Sequence, residues 1–170
     1  MAFGLASLAT GQEVGYPPVV EKRGIYARQD LRGKPAPSVL VTDWIRPADA
    51  MKGKVVIVHF FLPSCASCRS LATTLTSWQK QLKADVVVVG LTGESVEAAK
   101  IFAKETNAAY AIGVDTKKRT QDAFGVLGFP MVAVYSPDGI VRWQGWPGDK
   151  DDPLDLNKIK RIVAAAKASN

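Results

Sequence analysis

The sequence predicts an α/β domain with a mixed central sheet and helices on both faces, preceded by an N-terminal extension. Three observations carry this. Val55 to Val58 and Val86 to Leu91 are continuous apolar, β-branched runs, as expected of strands buried on both faces. Between them Cys68, Leu71, Ala72, Leu75, Trp78 and Leu82 recur at helical spacing. Further on, Met131 to Tyr135 and Ile140 to Trp146 flank Ser136-Pro137-Asp138-Gly139, a strong hairpin turn in which proline presets φ and glycine takes the left-handed position. A strand–helix–strand unit demands parallel pairing with a right-handed crossover, and the hairpin adds antiparallel pairing.

The elements follow in order. Ala2 to Ala9 is short, apolar and small, with Ser7 and Ala9 loosely fitting a small-x-small cleavage pattern; a signal or anchor remnant and an unstructured tail both fit it. Gly11 to Gly33 carries Pro17-Pro18, charges and little periodicity, and reads as an arm or extended segment that need not be part of the core. We therefore divide the chain into an arm, residues 1–33, and a domain, residues 34–170. Ser38 to Ile45 alternates well enough for a strand or hairpin, and Lys52-Gly53-Lys54 turns into the central strand. After the second buried strand, Val96, Ala99, Phe102 and Ala103 mark a helical face. Ile112 to Val114 is a brief extended piece and Thr120 to Phe124 a short helix. Asp152-Pro153 supplies a cap and a first-turn proline for a last helix, with Leu156, Ile159, Ile162, Val163 and Ala166 as its buried stripe.

Composition narrows the function. The chain has 170 residues, 47% hydrophobic and 22% charged, enough for one ordinary domain with a sizeable core. Its net charge of +6 is scattered, and Lys117-Lys118-Arg119 reads as a solvated face, so no nucleic-acid partner is expected. No stretch approaches the ~20 apolar residues of a membrane span. The only two cysteines, Cys65 and Cys68, are too few for a disulfide scaffold. A structural zinc needs about four ligands, and two cysteines with the single His59 fall short, so no metal site is expected.

The chemistry concentrates where the central strand hands Cys65-Ala66-Ser67-Cys68 to a helix. Backbone N–H groups and the helix dipole favour a thiolate at the first cysteine, and Arg69 adds positive charge. Cys65 is thus the candidate nucleophile and Cys68, one turn on, the candidate resolving thiol. Ser64 is a candidate helix cap. His59, six residues before Cys65, is either a proton relay for Cys68 or a core histidine bonded to backbone. Glu94, after Gly93 at the head of the next helix, reads as dipole compensation at a helix start. Ala66-Ser67 adds no charge and gives no handle on the potential. Trp143, Trp146 and Phe129 line a peptide-docking surface or simply pack on the sheet.

Together, Gly33-x-x-Ala36-Pro37, Gly53-Lys54-Val55-Val56, Phe60-x-x-x-x-Cys65-x-x-Cys68-Arg69, Val89-x-x-x-Gly93-Glu94-Ser95, Gly125-Val126-x-Gly128-x-Pro130 and Asp138-Gly139 resemble the thioredoxin-fold TlpA/ResA-like thiol–disulfide oxidoreductases, from about Lys34 to Ala165. The resemblance implies a thioredoxin-like fold with a cis Phe129–Pro130 peptide packed against the cysteines. The backbone of Phe129 would then pair with a substrate strand beside Ser64. It also implies that Glu94 is tied to activity, as in cytochrome c maturation members, which makes it a proton-transfer candidate for Cys68. The implied activity is exchange of the Cys65–Cys68 couple with partner-protein cysteines, as a reductant supplied by a membrane thiol carrier. The implied protein is a monomer with no cofactor beyond its redox-active disulfide. It would be periplasmic or otherwise extracytoplasmic, with a membrane anchor as one form of the full-length chain. The sequence departs from the family at Ser64, where thioredoxins carry tryptophan, and at His59, where they carry a buried aspartate. A metal (copper) carrier and a thiol peroxidase are the alternatives; the peroxidase lacks its Pro-x-x-x-Thr/Ser-x-x-Cys context.

Overall fold

The computed structural model describes residues 15–21 and 23–169; the apolar run Ala2 to Ala9 lies outside the described residues. The elements are β1 (Asp43–Arg46), β2 (Val55–Phe60), α1 (Ala66–Leu82), β3 (Val86–Thr92), α2 (Val96–Glu105), β4 (Ala111–Val114), α3 (Arg119–Ala123), β5 (Met131–Tyr135), β6 (Val141–Gly145) and α4 (Leu156–Ala168). They form one six-stranded sheet in the order β1-β4-β3-β2-β5-β6. β2 is parallel to β3, and β3 to β4, while β5 is antiparallel to both β2 and β6 and β1 is antiparallel to β4. The mixed sheet predicted from the order of elements is therefore present, with β2 and β3 buried along their whole length.

The two faces are covered unequally. α1, α2 and α4 pack on one face, through Cys68, Ala72, Leu75, Phe102, Ile159 and Ile162. The other face is closed by Phe124 at the end of α3 and by extended chain from the N-terminal segment, including Leu31. Part of the extended segment expected before the domain does belong to the core: Leu31 is buried and its N–H donates to Gln144 Oε1 at 2.9 Å. Sequence periodicity missed it because one inward leucine in an irregular segment makes no pattern.

Two expectations are corrected. The strand expected over Ser38 to Ile45 begins only at Asp43, because Leu40 spends both backbone groups on the Thr120 hydroxyl, each at 2.8 Å, instead of on a ladder. The last helix starts at Leu156 with Asp155 as its cap, its carboxylate accepting from Lys158 N at 2.7 Å. Asp152 is unavailable for capping because its side chain is buried against Arg23 and Lys158.

Candidate active site

The site sits where β2 and β5 leave the sheet at the same end. Phe60 pairs with Met131, so the residues after β2 and those before β5 emerge side by side. After Phe60 the chain turns through Leu62 and Pro63, with Cys65 N donating to Leu62 O at 3.0 Å, and α1 begins. Cys65 and Cys68 are paired as a disulfide with Cα atoms 5.2 Å apart. Cys65 is half-buried and Cys68 fully buried.

The expected cap is corrected here. Cys65, not Ser64, is the N-cap of α1: its backbone is extended, and its sulfur accepts the Cys68 N–H at 3.2 Å. A cap side chain must reach the N–H three residues on, and Ser64 lies one residue too early. Ser64 stands exposed beside Cys65. The Ser67 hydroxyl lies 3.3 Å from Cys65 Sγ. Arg69 holds the turn closed, its Nε donating to Pro63 O at 2.9 Å and its guanidinium paired with Glu105. That guanidinium ties the active-site turn to the end of α2, a role the residue type alone did not reveal.

Pro130 is buried, Phe129 half-buried, and the peptide between them is cis. Phe129 packs against both hydrophobic clusters, and Cys65 packs against the one that contains Cys68. Trp143 is buried, its Nε1 donating to Asp152 O at 3.1 Å, so it serves sheet packing. Trp146 remains exposed, with its ring centroid 6.1 Å from that of Tyr26.

His59 lies in the middle of the sheet, between Gly90 and Val132, on the face it shares with Ile57 and Phe61. That is the layer holding Cys68. The ring is fully buried; Nδ1 is 3.3 Å from the Tyr110 hydroxyl and Nε2 has no partner. The partner of the ring is a tyrosine, where the core-histidine reading expected backbone. Room for that tyrosine comes from Gly90, where a Cβ would stand 2.9 Å from the Tyr110 ring. A glycine inside a valine run was the one sequence signal for this close approach. Burial lowers the His59 pKa from 6.5 to about 3, so the ring is neutral wherever thiols exchange. Burial likewise pushes the Tyr110 phenol up, against a smaller opposing pull from Arg46.

Glu94 is exposed, its N–H donating to the Thr92 hydroxyl oxygen at 3.2 Å. It lines a cleft of about 220 Å³ together with Leu62 and Phe129, so the structure brings it to the redox end of the sheet. A more open groove of about 680 Å³ runs along the flank of α1 between Arg69 and Asn107 and includes neither cysteine. Among the described residues no cluster of three or more His, Cys, Asp and Glu side chains has metal-binding geometry.

A mixed sheet of this order, with a Cys-x-x-Cys disulfide where the central strand hands over to a helix, is a thioredoxin-like fold. Residues 33–144 match the AhpC/TSA family, and the chain belongs to it. Relatives agree. The chain is 26% identical over 95 residues to the thiol:disulfide interchange protein CycY of Rhizobium leguminosarum bv. viciae, covering 56% of this chain and 51% of that protein. It thus spans about half the length of that relative. It is 29% identical over 136 residues to the chloroplastic peroxiredoxin Q of Sedum lineare, covering 72% of each. In fold it is similar to a thioredoxin-like protein solved in its oxidised form, with a TM-score of 0.66 and 20% identity over 80% of this chain and 98% of that one.

Proposed function

We propose that Cys65 and Cys68 act as nucleophile and resolving thiol toward disulfides of partner proteins, in the reducing direction. The Cys65 thiolate attacks a partner disulfide, forming a mixed disulfide and releasing one partner thiolate. Cys68 then attacks Cys65 Sγ, releasing the second partner thiolate and closing the Cys65–Cys68 bond. Two electrons pass to the partner, and an external dithiol, by family likeness a membrane thiol carrier, must restore the pair.

One observation carries the division of roles: the half-buried sulfur is the one that caps the helix, and the buried sulfur lies one turn below it. In the reduced protein the Cys68 N–H that meets Cys65 Sγ would meet its thiolate, the form that attacks. Phe129 and Ser64 supply backbone and side chain beside that sulfur for an incoming strand. A periplasmic or otherwise extracytoplasmic setting and a cytochrome c maturation substrate are favoured by the family likeness alone.

Reduction of insulin disulfides by the dithiothreitol-reduced protein tests the reading. Cys65→Ser should abolish it, whereas Cys68→Ser should accumulate a mixed disulfide with the partner that non-reducing electrophoresis resolves. Activity surviving Cys65→Ser would overturn the assignment. The equilibrium potential of the pair against glutathione decides direction, a strongly negative value supporting a reductant.

Peroxidase activity is the second reading, on the strength of the family and the peroxiredoxin Q relative. The positions seven and three residues before Cys65 hold Val58 and Leu62, not the proline and hydroxyl residue of a peroxidatic site. Hydroperoxide turnover comparable to disulfide turnover would favour it. Stoichiometric copper retention by the reduced protein, lost in Cys68→Ser, would favour the carrier.

A further inference from the structure

Two aromatic rings stand exposed at the redox end of the molecule, and the backbone is strained to hold them there. Tyr26, 45% exposed, and Trp146, 37% exposed, lie with ring centroids 6.1 Å apart. Tyr26 has a φ of 56°, in the left-handed region that bulky side chains rarely adopt. Its backbone is tied to the loop before Pro130: Tyr26 O accepts from Leu127 N at 2.9 Å, and Ala27 pairs with Val126. Two glycines leave room for the rings. A Cβ on Gly128 would stand 3.3 Å from Tyr26 Cδ1, and one on Gly148 would stand 2.7 Å from the Trp146 indole. Neither ring packs into either hydrophobic cluster of the described residues, so the strain at Tyr26 does not serve the core.

The rings are continuous with the site. Leu127, 61% exposed, is held beside Tyr26 by that hydrogen bond and lines the cleft of Glu94 together with Phe129 and Leu62. Leu62 stands on the turn into Cys65, and Trp146 follows Gly145, which pairs with Val132 just past Pro130. From Cys65 the apolar side chains therefore run outward through Leu62, Phe129 and Leu127 to Tyr26 and Trp146. Tyr26 and Trp146 both lie outside residues 33–144, so the outer end of this surface is built by parts of the chain that the family match does not include.

A partner cysteine reaches Cys65 from solvent, so the segment that carries it crosses this end of the molecule. Tyr26, Leu127 and Trp146 carry no formal charge, and their exposed area is aromatic and aliphatic. An apolar side chain gains from all three. A cation would meet two ring faces but lose hydration against Leu127, and a carboxylate would meet the negative faces of both rings. We infer that Tyr26, Leu127 and Trp146 form a docking site for an apolar side chain, aromatic or branched aliphatic, borne by the partner segment away from the cysteine that Cys65 attacks. The inference rests on the oxidoreductase reading above and adds a preference among its partners.

The test uses thirteen-residue peptides of one Gly/Ser sequence, each with a central cysteine in mixed disulfide with thionitrobenzoate. Phe, Leu, Lys, Glu or Ser is placed in turn at every other position. Attack of the Cys65 thiolate on the peptide sulfur releases thionitrobenzoate; Cys68 then closes the protein disulfide and frees the peptide thiol. Second-order rate constants are read as thionitrobenzoate release by the pre-reduced wild-type protein. At one or more positions Phe or Leu should exceed Ser by on the order of tenfold, the factor that burying much of one such side chain supports. Glycine suits the left-handed φ, so Tyr26→Gly removes the ring without adding strain. In Tyr26→Gly and in Leu127→Ser that ratio should fall by roughly threefold or more, the loss of part of the buried apolar contact. Ile101→Ser, which removes an exposed apolar side chain on α2, should leave it unchanged. Being a ratio within one protein, it is insensitive to the fraction correctly folded. A flat scan, a preference for Lys or Glu, a ratio preserved in either variant, or the same fall in Ile101→Ser would each overturn the inference. Reduction of the small disulfide of dithiobisnitrobenzoate by the wild type keeps the two readings apart. Its presence with a flat peptide scan removes only the docking site, and its absence removes the oxidoreductase reading and the docking site with it.

Discussion

His59 shows how a single side chain's surroundings set its chemistry. No carboxylate is paired with the ring: Nδ1 meets a neutral phenol 3.3 Å away and the ring of Phe61 lies beside it, with centroids 5.5 Å apart. Desolvation therefore acts unopposed and holds the pKa at about 3. With the cysteines joined as a disulfide, such a ring is neutral at neutral pH and hydrogen-bonds a phenol. Stability carries the sign. The unfolded chain binds this proton near pH 6.5 and the folded one near 3, so the unfolded state holds more protons between those values and stability falls as pH drops through that window. From about pH 7 to about pH 5 the loss should be on the order of 2 kcal/mol, read from denaturant midpoints. His59→Phe should flatten that dependence whatever its effect on absolute stability, and an unchanged slope would show that other groups carry it.

At the scale of the element, α4 separates a cap from an anchor. Asp155 caps the helix at the surface, a contact worth about 1 kcal/mol. Asp152, three residues earlier, receives Arg23 Nε at 2.9 Å with both side chains almost wholly buried, 1% and 6% exposed. Removing one member of such a pair strands the other charge, at roughly 3–5 kcal/mol. Chemical denaturation should therefore rank Asp152→Ala well below Asp155→Ala in stability, and equal losses would mean that Arg23 is solvated when its partner goes. This is also why the helix was predicted a turn too early. Asp-Pro followed by a periodic stripe is a sound local start signal, but the structure assigns Asp152 to a residue 129 positions away, and no local pattern registers that. The elements whose evidence is local were legible: the β2–α1–β3 unit, the hairpin, and the cysteine pair at a helix start. What depended on distant partners was not: the tyrosine under His59, the sulfur as its own helix cap, and the cleft around Glu94.

Across the whole molecule, the least legible feature is the N-terminal segment, and it bears on the site. It runs along the edge of β6, with Gly33 N donating to Val141 O at 2.8 Å and Arg23 to Gln144 O at 2.8 Å, while the Arg142 guanidinium lies 3.5 Å from the centre of the Tyr16 ring. It then reaches the loop that carries Phe129 and Pro130: Leu127 N donates to Tyr26 O at 2.9 Å, and Arg28 N to Gly125 O at 2.7 Å. Covering an edge strand blocks pairing with another chain, and here the same segment buttresses the loop beside Cys65. Deleting residues 1–33 would uncover the site of Leu31, leave Gln144 Oε1 without its backbone donor, and take Arg23 away from Asp152, which keeps Lys158 as its partner. Together these should cost on the order of 3–5 kcal/mol, a fall in melting temperature of roughly 6–20 °C for a domain of this size. Hydrogen exchange then distinguishes a buttress from a general weakening. The Leu127 amide, having lost its acceptor, should exchange much faster in the shortened protein at a temperature where β2 and β3 amides are still protected. An unchanged melting temperature and an unchanged Leu127 amide would return the segment to an arm that need not be part of the core.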